Sequence, residues 1–168
     1  IGFYQGVGLE RRKIDYVELQ GKGLPEAIKF VKEKPYTYGK HFAPHDIKVR
    51  ELGTGKSRLE VAKELGIDFE IVPNMSVQEG IDAGRRFFKK LWVDKTNCKD
   101  WLKLIPQYTK EYDEDNKIFK DKPLHDWTSH GADEFRYAAL VEDKFENGTK
   151  QPSYVQPAWE SETSYFNT

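Results

Sequence analysis

The chain has 168 residues, 38% hydrophobic and 14% aromatic, enough for one globular domain with a core of its own. Its 27 Lys and Arg against 28 Asp and Glu leave a net charge of −1, which gives no global support to a nucleic-acid partner and leaves room only for a local basic face. A single cysteine, Cys98, excludes an internal disulfide and a cysteine-built metal cluster, and no apolar run reaches the roughly 20 residues of a membrane span, so a soluble cytoplasmic protein is expected.

Residues 1–7, IGFYQGV, read as the second half of a buried strand, so the chain is expected to begin inside an incomplete element. A turn over residues 8–12 leads into a second strand through KIDYVEL, where Asp15 reads as a surface residue. GKGLPEAIKFVKEK predicts a helix, with Pro25 in its first turn and Leu24, Ile28 and Val31 at helical spacing. YTYGKHFAPHD predicts a strand that Pro44 helps to end, SRLEVAKELG a short helix and DFEIVP a strand. SVQEGIDAGRRFFKKLW is a helix signalled by the S-x-x-E box of Ser76 and Glu79, with Val77, Ile81, Gly84, Phe88 and Leu91 expected inside. Helical periodicity in CKDWLKLIPQYTKEYD stops at Pro106. TSHGADEFRYAALVEDKF predicts a last helix with Ala132, Phe135, Ala139 and Leu140 inward. The domain is placed over 1–146, followed by an extended polar and aromatic tail over 147–168. Strand–helix alternation of this kind indicates an α/β fold with a mixed sheet flanked by helices.

GTGKS at residues 53–57 has the ending of a phosphate-binding loop. The full pattern needs a glycine where this chain has Arg50, and an apolar strand where it has HDIKVREL. Ser57 and Glu60 form a second S-x-x-E box, and Gly66 follows the helix they would start, so the string reads as a turn and a helix cap, with no nucleotide expected.

Two carboxylates stand where chemistry is commonly found. Asp46 follows a strand at its C-terminal end, although an aspartate after Pro44 and His45 also suits a plain turn. Asp126, His130 and Asp133 share one face around the start of the last helix; capping accounts for Asp126, whereas Asp133 lies one turn inside, beside the small residues Gly131 and Ala132. Carboxylates brought together from a strand end and a helix suit Mg²⁺ or Mn²⁺ better than zinc. Lys48, Arg50, Lys56 and Arg58 cluster just after Asp46 and could meet nucleic-acid phosphates or form a solvated loop. Arg85, Arg86, Lys89 and Lys90 read as the wet face of their helix.

"YGKHFAPHDIKVRELGTGKSRLEVAKELG", "FEIVPNMSVQEGIDAGRRFF" and "HDWTSHGADEFRYAAL", in this order, resemble the C-terminal nuclease domain of the large terminase subunit of tailed bacteriophages and prophages, from about Ile1 to Val141. The resemblance implies an RNase H-like fold that cuts double-stranded DNA during genome packaging in a bacterial host. It further implies two Mg²⁺ or Mn²⁺ ions roughly 3.5–4 Å apart, which activate water and stabilise the leaving oxygen. By matching motifs Asp46 and Asp133 would be metal-binding catalytic acids, with His130 and Asp126 as auxiliary ligands and Lys48, Arg50, Lys56 and Arg58 on DNA. In that family an ATPase domain, a small terminase subunit and a portal are partners. The family's first acid, in an Asp-x-Gly motif on the first strand, has no counterpart from Ile1 onward, and Asp15 is a poor substitute. The competing expectation is therefore a catalytically incomplete prophage remnant or a docking module for DNA, portal or capsid proteins.

Overall fold

Alternation along the first strand, and one irregular step in its pairing, decide which residues each helical layer covers. The computed structural model describes residues 1–145. Strand β1 (Gly2–Val7) turns back at Gly8, whose φ of 58° suits a residue without a Cβ, and pairs antiparallel with β2 (Glu10–Tyr16). After α1 (Leu24–Glu33) come β3 (His41–Ala43), α2 (Arg58–Glu64) and β4 (Phe69–Ile71), and β3 and β4 pair in parallel. Helix α3 (Val77–Phe88) precedes β5 (Leu91–Val93), which joins β2 in parallel and completes a three-stranded mixed sheet in the order β1-β2-β5. Helix α4 (Lys99–Leu104), the antiparallel hairpin β6 (Lys110–Asp113) with β7 (Ile118–Pro123), and α5 (Ser129–Ala139) follow. The fold is mixed α/β.

Two cores lie on the two faces of the sheet. Phe3 packs with Ile28 and Val31 of α1, Ala62 of α2 and Ile67; Tyr16 packs with Ala83 and Phe87 of α3, Trp101 and Leu104 of α4, and Phe135, Ala138 and Ala139 of α5. Close approach of the helices depends on glycine. A Cβ on Gly131 would come within 2.5 Å of Leu104, and one on Gly84 within 3.2 Å of the Phe135 ring. No helix among the described residues is long and apolar enough to cross a membrane.

Several sequence expectations need correction. Asp15 is not a surface residue: it is 5% exposed, takes Lys34 Nζ at 2.6 Å and the Tyr36 hydroxyl at 3.1 Å on Oδ2, and accepts the Tyr16 amide on Oδ1. The inner face of α3 is made by Gly80, Ala83, Gly84 and Phe87, while Val77 and Phe88 are largely exposed. Leu91 belongs to β5, which the helical reading of FFKKLW concealed. The strand expected over 36–46 is reduced to His41–Ala43, and residues beyond Pro106 form the hairpin β6–β7. The strand β1 is an edge strand, buried only at Phe3 and Gly6. The last helix ends at Ala139, short of its expected extent, with Ala132, Phe135 and Ala139 inward as expected. The tail over 147–168 lies outside the described residues.

Candidate functional site

Chain breakage after β3 supplies the first acid. Pro44 ends the strand, and the chain enters a short 3-10 helix, His45–Lys48, with Asp46 in its first turn. Buried Ile47 pins this turn to the body, and Asp46 points outward, exposed, with no hydrogen-bond donor on its carboxylate among the described residues. Asp133 comes from the second turn of α5. Its Oδ1 accepts from Arg136 at 2.5 Å, an i,i+3 pair, whereas Oδ2 has no protein donor among the described residues.

These two acids meet electrostatically at one ring. Burial raises the Tyr137 phenol above its ordinary value, the Asp133 carboxylate adds to the rise, Arg136 opposes it, and Asp46 raises it again. Tyr108 stands on the other side: burial raises its phenol, Arg136 lowers it, and Asp133 and Asp126 raise it. The Asp133 charge thus acts on both phenols, that of Asp46 on Tyr137 and that of Asp126 on Tyr108.

The other anticipated residues fall in different situations. Asp126 precedes α5 and accepts from the Thr128 amide at 2.8 Å and the Thr128 hydroxyl at 2.6 Å; those bonds hold its carboxyl below the usual aspartate range. Its amide donates to Ser129 Oγ at 2.9 Å, so Asp126 shapes the turn that launches the helix. His130 is exposed, its ring 6.5 Å from that of His125 and nearly perpendicular to it.

Arg136 and Tyr137 were not anticipated. Both follow Asp133 at helical spacing, i+3 and i+4, and that spacing was the available signal. The Arg136 side chain is 12% exposed and lies against Gly80, where a Cβ would come within 3.3 Å of Nη1. Its Nε is buried without an acceptor among the described residues.

The basic turn sits beside Asp46, because α2 packs on the 3-10 helix that carries it. Arg50 and Ser57 close the turn as an isolated bridge, and the Glu51 amide donates to the Lys56 carbonyl. All four cations are exposed. Arg50 pairs with Glu60 at 3.5 Å, Lys56 with Glu64 at 2.6 Å and Arg58 with Glu51 at 3.5 Å, while Lys48 has no ion pair among the described residues. Exposed pairs of this kind contribute about 0–1 kcal/mol, so a phosphate can compete for the cations. Ser57 is a cap as its sequence suggests: Oγ accepts the Glu60 amide, and Glu60 Oε2 accepts the Ser57 amide at 2.7 Å.

For a divalent cation the donor type is right and the number is small. Asp46 and Asp133 offer hard carboxylate oxygens of the kind that Mg²⁺ and Mn²⁺ take. Among the described residues no group of three or more His, Cys, Asp or Glu is gathered so as to hold a metal ion. Set against known proteins, the chain matches no family model, no curated protein and no solved structure.

Proposed function

We propose that this chain is an RNase H-like, divalent-metal-dependent endonuclease domain that cuts double-stranded DNA, as the nuclease part of a phage or prophage packaging terminase. The observation that carries the reading is that Asp46, in the short helix after β3, and Asp133 on α5, distant in sequence, both raise the Tyr137 phenol through their charge. Each keeps carboxylate oxygen free of protein donors among the described residues, and the exposed cations of the turn lie beside the first of them. Asp46 and Asp133 would hold the metal, which when bound supplies an activated water and charge stabilisation at the phosphate. Lys48, Arg50, Lys56 and Arg58 hold the DNA backbone without reading its sequence. The resemblance expects a further acid ahead of Ile1. In a complete terminase the partners would be the ATPase domain, the small subunit and the portal.

Plasmid nicking in Mn²⁺ or Mg²⁺ tests this. Asp46→Asn and Asp133→Asn are each expected to abolish cutting while circular dichroism and melting stay unchanged. A folded variant that cuts at the parental rate removes that residue from the site. The small donor set favours a second reading, a docking module that binds DNA or portal and capsid proteins without cutting. DNA retained with the same affinity in Mn²⁺ and in EDTA, with no cutting in either, supports the module.

A further inference from the structure

Lys13 on β2 is fully buried, with 0% of its side chain exposed. Its Nζ donates to Glu134 Oε2 at 2.6 Å and to the Tyr4 hydroxyl at 2.7 Å, and the rings of Tyr4, Trp101 and Tyr16 surround it at 4.4, 4.8 and 5.0 Å. Gly2 leaves space for the Glu134 carboxylate and for no side chain of its own. Glu134 is the residue after Asp133, so the two side chains stand about 100° apart around α5.

We propose that the Lys13–Glu134 pair is a positioning device that fixes the rotation of α5 about its axis and so sets the direction in which Asp133 leaves the helix. The consequence for cutting rests on the nuclease reading above; the effect on the helix rests on geometry alone. Stability does not account for the pair. Burying an ammonium costs several kcal/mol, and replacing such a pair by apolar residues of similar volume is often neutral or stabilising. What apolar contacts lack is direction. The buried side of α5 is made largely of Gly131, Ala132, Ala138 and Ala139, with Phe135 its one large buried residue and Arg136, 12% exposed, beside it against Gly80. Small side chains present few ridges, so packing alone defines the rotation weakly. A short ionic hydrogen bond inside an aromatic box defines one angle.

The test is the double variant Lys13→Met with Glu134→Leu, compared with the parent by residual dipolar couplings of the α5 amides, thermal melting, DNA affinity and plasmid cutting. Melting is expected unchanged or higher, with α5 couplings that no longer fit the parental orientation against β1 and β2. DNA affinity should hold, and the cutting rate should fall about 10–100-fold, the scale set by misplacing a catalytic group by about an ångström. Couplings that fit the parental orientation overturn the inference, and so does a rotated α5 with undiminished cutting. If the double variant does not fold, Glu134→Gln decides by the same couplings: it keeps a hydrogen bond to Lys13 and should keep the orientation, and a rotated helix there overturns the proposal. A parent that does not cut defeats the nuclease reading, while the couplings still judge the rotation.

Discussion

Lys13 and Asp15, two positions apart on β2, point to opposite faces of the sheet. In the β1–β2 register Phe3 faces Asp15 and Tyr4 faces Lys13, so Ile14 is an extra residue on β2 at that step. Cross-strand partners share a face and successive residues on β1 alternate, so this bulge separates two charges that a regular strand would place together. One consequence is that each finds an opposite charge in a different layer: Lys13 meets Glu134 of α5, and Asp15 meets Lys34 just past α1. Buried side by side, they would have neutralised each other and left both helices without an ionic anchor.

Asp15 and Asp46 should therefore respond oppositely to truncation. Asp15→Ala leaves the Lys34 ammonium and the Tyr36 hydroxyl without their acceptor, and Lys34 sits near the Phe30 and Phe3 rings, at 5.0 and 5.8 Å. Lys34 is 26% exposed and can recover some hydration, so a loss of about 2–3 kcal/mol in urea unfolding is expected. Asp46→Ala removes an exposed group without a hydrogen-bond or ion-pair partner among the described residues and should stay within about 0.5 kcal/mol of the parent. Equal losses in the two variants would contradict the division into a structural and a functional acid.

Much of this arrangement was legible in the sequence where local chemistry decides it. The S-x-x-E boxes at Ser57 and Ser76 start helices as expected, because a cap needs only residues three positions apart. Asp46, expected at a strand end, lies three residues past β3, in the first turn of the 3-10 helix. What sequence reasoning missed depends on partners distant in the chain. The inner face of α3 is set by Arg136 and Phe135 pressing on Gly80 and Gly84; Gly84 is expected there, but Gly80 adds nothing to an apolar stripe, whereas the exposed Val77 and Phe88 suggest one. The burial of Lys13 and Asp15 follows from a bulge that no residue type announces. Arg136 and Tyr137 lay within the very segment that carried the family resemblance, yet only the folded chain shows that the charge of Asp46 bears on Tyr137.

The turn that looks like a phosphate loop makes a separate prediction. Its amides are already committed: Gly55 N–H donates to the Glu51 carbonyl at 2.8 Å, Lys56 N–H to Thr54 Oγ1 at 3.3 Å, and Ser57 N–H to Glu60. A phosphate cradle needs such groups free. Ser57→Ala should lower stability by about 1 kcal/mol, since it removes a cap from a largely buried position. Mg-ATP should leave the melting temperature of the parent unchanged. A shift in melting with ATP that Lys56→Ala removes would restore the nucleotide reading.

His41 gives the stability of the β3–β4 pair a pH dependence of known sign. Its ring lies 5.0 Å from that of Tyr38 and 6.0 Å from that of Phe69, its parallel-strand partner, and partial burial lowers its pKa from the ordinary 6.5. A lowered value means that the unfolded chain takes up its proton first as pH falls. In that window the unfolded state binds more protons, so stability rises with pH: the contribution is present above about pH 6.5 and is lost as pH falls towards the folded value. Carboxylates held low by their partners, such as Glu70 beside Lys144 and Glu60 beside Ser57, lose stability only below about pH 4.5 and do not interfere above pH 5. Melting temperature measured from about pH 7.5 down to 5 should decline in the parent and decline less in His41→Phe, whose ring fits the same aromatic contacts; the Ile1 amine, its pKa lowered from 8.0 by burial, contributes a decline common to both. A parent curve that is flat, or that rises towards acid, would mean that His41 is as well solvated in the folded chain as in the unfolded one.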